Sequence, residues 1–125
     1  MRRTILIVDD NETNLRLIGA VLRTRGYTLR EAMTGEMALA IVAETPLDMV
    51  LLDVQMPGLS GLDVVRQIRA IPAHRALPVI AITAMAMKGD REAVLAAGFT
   101  DYLAKPYRTA DVLALVARHL PSEET

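Results

Sequence analysis

Apolar positions fall into two patterns that alternate along the chain. Ile5-Leu6-Ile7-Val8 is a short, branched, wholly apolar run, the mark of a strand buried on both faces. Asn14, Leu17, Ile18, Val21 and Leu22 then recur at helical spacing, and Gly26 closes that helix as a C-terminal cap. A weaker strand is predicted over Thr28–Ala32. A helix follows from about Thr34 to Glu44, with Ala38, Leu39, Ile41 and Val42 inward and Pro46 as its stop. Met49-Val50-Leu51-Leu52 is a second buried strand, and Met56 to Gly61 is turn chemistry. The next helix carries Leu62, Val65, Ile68 and Arg69 on one side. Pro78 introduces a third apolar strand, Val79-Ile80-Ala81-Ile82. A helix is predicted over about Met87–Ala97 with Gly98 as its cap, then a short strand over Asp101–Ala104. The last helix starts near Thr109, has Asp111 in its first turn and ends near Leu120-Pro121. Residues 121–125 are expected to form a disordered polar tail.

Regular alternation of strand and helix, with continuously apolar strands, implies an α/β fold: a parallel sheet covered by helices on both faces. No linker or repeat divides the chain, so residues 1–125 are expected to form one domain. Chain order alone does not fix strand order. Composition narrows the function. The apolar fraction is 52% and the charged fraction 23%, normal for a globular protein. There is no cysteine, which excludes a disulfide framework and a thiolate metal site. The net charge is −1, the basic residues are scattered, and aromatics are 3%. Neither the basic footprint nor the stacking platform of a nucleic-acid binder is present. No apolar run reaches the roughly 18 residues of a membrane span. Met1-Arg2-Arg3-Thr4 leads into the first strand with no small-residue cleavage site, so a cytoplasmic location is expected.

Function in open parallel sheets collects at the carboxyl ends of the strands. Asp9 and Asp10 follow the first strand, Asp53 the third and Lys105 the fifth, while Thr83 ends the fourth. Three carboxylates, a hydroxyl and an ammonium should therefore meet at one edge. Clustered carboxylates raise one another's pKa unless a cation neutralises them. Oxygen ligands without Cys or His select a hard ion such as Mg²⁺. Lys105, one of two lysines with Lys88, offers a point charge for a phosphoryl oxygen. Together these groups are equipment for phosphoryl transfer to an aspartate.

Taken singly, each residue has a plainer reading. Asp9-Asp10 is also what a strand-to-helix turn looks like. Thr83 alone reads as a strand residue and Tyr102 alone as packing. Gly58 and Gly61 read as turn glycines. His74 lies in a Pro- and Arg-containing loop, and His119 in a last helical turn where a cation suits the dipole. Met33, Met37, Met49, Met56, Met85 and Met87 read as gap-filling core.

Four motifs carry a resemblance across essentially the whole chain: Ile7-Val8-Asp9-Asp10-Asn11, Leu52-Asp53-Val54-Gln55-Met56-Pro57-Gly58, Ile82-Thr83-Ala84, and Ala97 to Pro106. In this order and spacing they resemble the receiver domain of two-component response regulators, the CheY-like superfamily. Thr83 to Glu92 also resembles the DivK-type single-domain receivers. The resemblance implies a doubly wound, flavodoxin-like sheet of strand order 2-1-3-4-5 with five helices. It implies Asp53 as phosphoacceptor, and Mg²⁺ held by Asp9, Asp10, Asp53 and the Gln55 backbone carbonyl. Thr83 and Lys105 would bind phosphoryl oxygens, Tyr102 would change rotamer with Thr83, and the Lys105–Pro106 bond would be cis. Gln55 and Met85 depart from the side chains commoner beside the phosphate and bear on its lifetime.

The function implied is a phosphorelay switch that takes a phosphoryl group from a histidine kinase or histidine phosphotransfer protein and then binds a protein target. A receiver excised from a hybrid kinase fits equally. Asn11, Asn14, Leu15 and Tyr107 are the expected kinase-facing patch. A small Mg²⁺-dependent phosphatase would want a second acid at position 55 and a cap. A flavin carrier would want a Ser/Thr/Gly loop where Asp9-Asp10-Asn11-Glu12 stands.

Overall fold

Residues 3–84 and 89–120 are described by the computed structural model. β1 (Thr4–Val8), β3 (Met49–Asp53) and β4 (Val79–Thr83) are the three apolar runs, and all but Thr4 of their residues are buried. β2 (Thr28–Ala32) is largely exposed and β5 (Asp101–Ala104) half-buried, because each lies at an edge. The five strands are parallel in the order β2-β1-β3-β4-β5. Between them run α1 (Glu12–Arg23), α2 (Gly35–Glu44), α3 (Gly61–Arg69), α4 (Asp90–Ala97) and α5 (Thr109–His119). Three helices start on a side-chain cap: Asn11 accepts from the Asn14 N–H, Thr34 from Met37 and Ser60 from Asp63. The Asp111 carboxylate accepts the Arg108 N–H (3.0 Å) at the start of α5.

The sheet divides two cores. Leu6, Val8, Val50, Leu52 and Ala81 face α2, α3 and α4 through Ile41, Val64, Val65, Ile68 and Val94. Ile5, Ile7, Leu51, Ile80 and Ile82 face α1 and α5 through Leu15, Ile18, Leu22, Val112 and Val116. Each fully buried aliphatic side chain contributes about 1.5–3 kcal/mol of transfer free energy.

Several packing expectations need correction. In α1 the buried row is Leu15, Ile18, Gly19 and Leu22. Leu17, expected inward, is 52% exposed, since it sits two residues, about 200°, from Leu15. Met33 and Met37 are exposed rather than core, whereas Met49 and Met56 are buried; Met85 and Met87 lie outside the described residues. Val64, not Leu62, is the fully buried partner of Val65 and Ile68 in α3. The described part of α4 begins at Asp90, after Gly89 at φ +97°, and the expected start at Met87 lies outside it. His74 belongs to a single 3₁₀ turn, Pro72–His74. The tail at 121–125 is likewise outside the described residues.

Two glycines do different work. Gly58 has φ +75° and makes a turn that other residues resist. Gly61 is no turn glycine: a Cβ there would stand 2.6 Å from both the Asp53 carbonyl oxygen and the Val54 Cα. Its N–H donates to the Val54 carbonyl (3.1 Å), so α3 starts pressed against the end of β3.

Candidate functional site

Parallel pairing sets the carboxyl ends of β1, β3, β4 and β5 side by side. Val8 pairs with Leu52, Asp53 with Ile82 and Thr83 with Ala104. The polar residues that follow, or end, these strands therefore meet at one edge. One oxygen from each of Asp9, Asp10 and Asp53 lies within 4.8 Å of the others. Asp9 and Asp53 are buried, Asp10 is exposed, and Thr83 at the end of β4 is buried. Lys105 reaches across from the end of β5, with Nζ 3.2 Å from Asp53 Oδ2. The Lys105 N–H donates to the Thr83 carbonyl (2.7 Å), extending the β4–β5 ladder to the site. The Lys105–Pro106 peptide is cis.

Each of the two buried carboxylates is held by its own turn. Asp9 Oδ1 accepts the Asn11 N–H (2.8 Å) and Oδ2 accepts the Asn14 side-chain amide (3.2 Å). Asp53 Oδ1 accepts the Gln55 N–H (3.0 Å), leaving Oδ2 to Lys105. Burial, and next the Asp53 charge, push the Asp9 carboxyl up; the Asn11 N–H, Lys105 and Asn14 offset only part of this. Tyr107 is pushed up by burial and by the Asp9 and Asp53 charges. A buried carboxylate held against its own ionisation, as Asp9 is, is one a cation relieves.

The fold brings Asp9, Asp10, Asp53, Thr83 and Lys105 together, and places Gln55 beside them. Tyr102 lies lower on β5, half-buried against the α2–α4 core. Of the expected docking patch, Leu15 is 4% exposed and unavailable. Leu17 instead lines a cleft of about 450 Å³ with Asn14, Ala84, Lys105, Pro106 and Tyr107. Sequence reading missed the hold of Asn14 on Asp9 and the bond from the Ala84 N–H to the Gln55 carboxamide oxygen (3.0 Å). The first had a usable signal, an amide five residues after the aspartate. The second had none, because its partners are 29 residues apart.

The model of the response regulator receiver domain matches residues 5–117 of this sequence. The chain belongs to that family. As a receiver it is similar to the signal transduction histidine-protein kinase BarA of Shigella flexneri, 40% identical over 118 residues, 94% of this chain but 13% of that protein. The receiver thus spans 13% of the length of that curated relative. The polar-differentiation response regulator DivK of Brucella abortus is 34% identical over 120 residues, covering 96% of this receiver and 98% of DivK. Among solved structures, the receiver domain of the sensor histidine kinase PA1611 from Pseudomonas aeruginosa superposes with a TM-score of 0.87. It is 38% identical, and 98% of this chain and 100% of that one are covered. In that structure a magnesium ion is coordinated in the active site cleft.

Proposed function

We propose that this receiver, read as a single domain over its 125 residues, is a phosphorylation-controlled switch of a two-component phosphorelay. The observation that carries it is the edge at which Lys105 meets Asp53 at 3.2 Å beside Asp9 and Asp10. The Asp53 carboxylate oxygen attacks the phosphorus of a phosphohistidine on a histidine kinase or phosphotransfer protein. The P–N bond breaks, and the imidazole nitrogen leaves with the bonding pair and takes up a proton. Lys105 and Thr83 hold the transferred phosphoryl oxygens by charge-assisted hydrogen bonds.

The all-oxygen donor set and the strained ionisation of Asp9 fit Mg²⁺. Asp9, Asp10, Asp53 and the Gln55 backbone carbonyl would hold it. Bound there, it neutralises carboxylate and phosphoryl charge. The receiver is then a switch and not a stand-alone enzyme, working in the cytoplasm by binding a protein target. Thr83, drawn to the phosphoryl group, vacates space into which Tyr102 turns, and the α4–β5–α5 surface changes. The cleft beside Lys105 and Leu17 is the face offered to the phosphodonor. The likeness to BarA and PA1611 also supports a second reading, a receiver cut from a hybrid kinase.

Incubation with acetyl phosphate and Mg²⁺ should add one phosphoryl group, stable in acid and labile to hydroxylamine, and Asp53→Asn should take up none. Equal labelling of Asp53→Asn and wild type would reject Asp53 as acceptor. Thr83→Ala should accept phosphate yet transmit it poorly. A wild-type Tyr102 NMR response in that variant would sink the coupling.

A further inference from the structure

The side chain of Gln55 makes a contact that the switch does not require. Its backbone N–H donates to Asp53 Oδ1 (3.0 Å), so the residue sits over the acceptor carboxylate. Its carboxamide oxygen then crosses from the end of β3 to the end of β4 and accepts the Ala84 N–H (3.0 Å). Ala84 follows Thr83 directly and lines the same cleft as Lys105. A phosphoryl group on Asp53 would present three oxygens to that cleft, each seeking donors. Donors within its reach include the Lys105 ammonium, 3.2 Å from Asp53 Oδ2, and the Ala84 N–H in the cleft that Lys105 also lines. The last of these is already taken by Gln55.

We propose that the Gln55 carboxamide is an internal latch on the phosphoryl subsite. Its oxygen stands in for a phosphoryl oxygen at the Ala84 N–H until phosphorylation displaces it. The inference deepens the reading of Asp53 as acceptor and rests on it. The amide is neutral, so it satisfies the donor without adding a fourth negative charge to Asp9, Asp10 and Asp53. An acceptor that is charged and covalently fixed nearby replaces a neutral one, and charge-assisted bonds are the stronger kind. The exchange therefore runs toward the phosphorylated form. It also frees an exposed side chain that had tied the β3 turn to the β4 exit, so the latch links phosphoryl arrival to the segment after Thr83.

The test uses the full chain as wild type, Gln55→Ala and Gln55→Met. The Met variant keeps the length of the side chain but lacks a carbonyl acceptor. Gln55 is exposed, so neither change removes core. Without any phosphoryl mimic, the Ala84 amide should move upfield and exchange faster in both variants. With Mg²⁺ and beryllofluoride, both should bind the mimic about fivefold more tightly than wild type, the equivalent of one net hydrogen bond no longer displaced. An unchanged Ala84 amide in both variants overturns the latch. So does equal affinity, and so does weaker affinity, which would make Gln55 an anchor for the phosphoryl group. Failure of wild type to bind beryllofluoride at all would overturn the Asp53 reading and the latch with it.

Discussion

Two aspartates illustrate opposite uses of a buried charge. Burial and the neighbouring Asp53 raise the Asp9 pKa. The folded state then holds a proton on Asp9 more tightly than the unfolded chain does. Ionised Asp9 therefore weakens the fold above its folded pKa, and the loss is relieved as pH falls through that value. Asp9→Asn should raise stability by about 1 kcal/mol at neutral pH without metal, a gain that fades in acid, and should weaken Mg²⁺ binding. Thermal melts across pH check it; an Asp9→Asn melt no higher than wild type at pH 7 would contradict it. Asp101 has the opposite sign. Burial pushes its carboxyl up, but His119 Nε2 at 2.8 Å, the Tyr102 N–H and Arg118 outweigh that and hold it below the usual range. Its contribution is present above the unfolded value near 3.9 and is lost as pH falls through the folded one. Asp101→Asn should cost about 1 kcal/mol at neutral pH, and its melting curve should converge with wild type in strong acid.

The helices show what period alone can and cannot phase. In α3, Arg69 was legible as part of the inward side. Its task was not: Nε donates to the Gly98 carbonyl (2.8 Å), and Nη1 to His74 and Leu77 (2.7 and 2.6 Å). These partners come from two separate connections, α3–β4 and α4–β5, which no local pattern announces. The same holds in α1, where Leu15 and Leu17 are both apolar and only docking against β1 and α5 selects Leu15. The strands were easier, because a run buried on both faces needs no phase. The carboxylate edge was legible for that reason, its residues each ending or following such a run. Gly61 was read as a turn residue because contact with β3 is invisible in a turn motif. Gly61→Ala should cost about 2–3 kcal/mol by forcing α3 off the Asp53–Val54 backbone. Urea unfolding measures this, and a wild-type midpoint would show that the contact gives way freely.

Alternate residues of each inner strand belong to opposite cores: Leu6 and Val8 to one, Ile5 and Ile7 to the other. Neither layer can melt while the sheet between them stays intact. The chain should therefore unfold in one step, with calorimetric and van't Hoff enthalpies equal; a second transition would show that the two helical layers are separate units. The antiparallel return of each helix has a further geometric result. The Thr28 N–H donates to the Arg3 carbonyl (2.9 Å), and the adjacent Tyr27 hydroxyl donates to the Leu120 carbonyl (3.1 Å). Residues 3 and 120 thus hang from one dipeptide, on the side of the sheet opposite the carboxylates. A covalent cross-link between residues 3 and 120 would stabilise the fold by lowering the entropy of the unfolded chain. A fluorophore attached to the side chain at position 3 would sit near one at position 120, both well clear of the acidic edge.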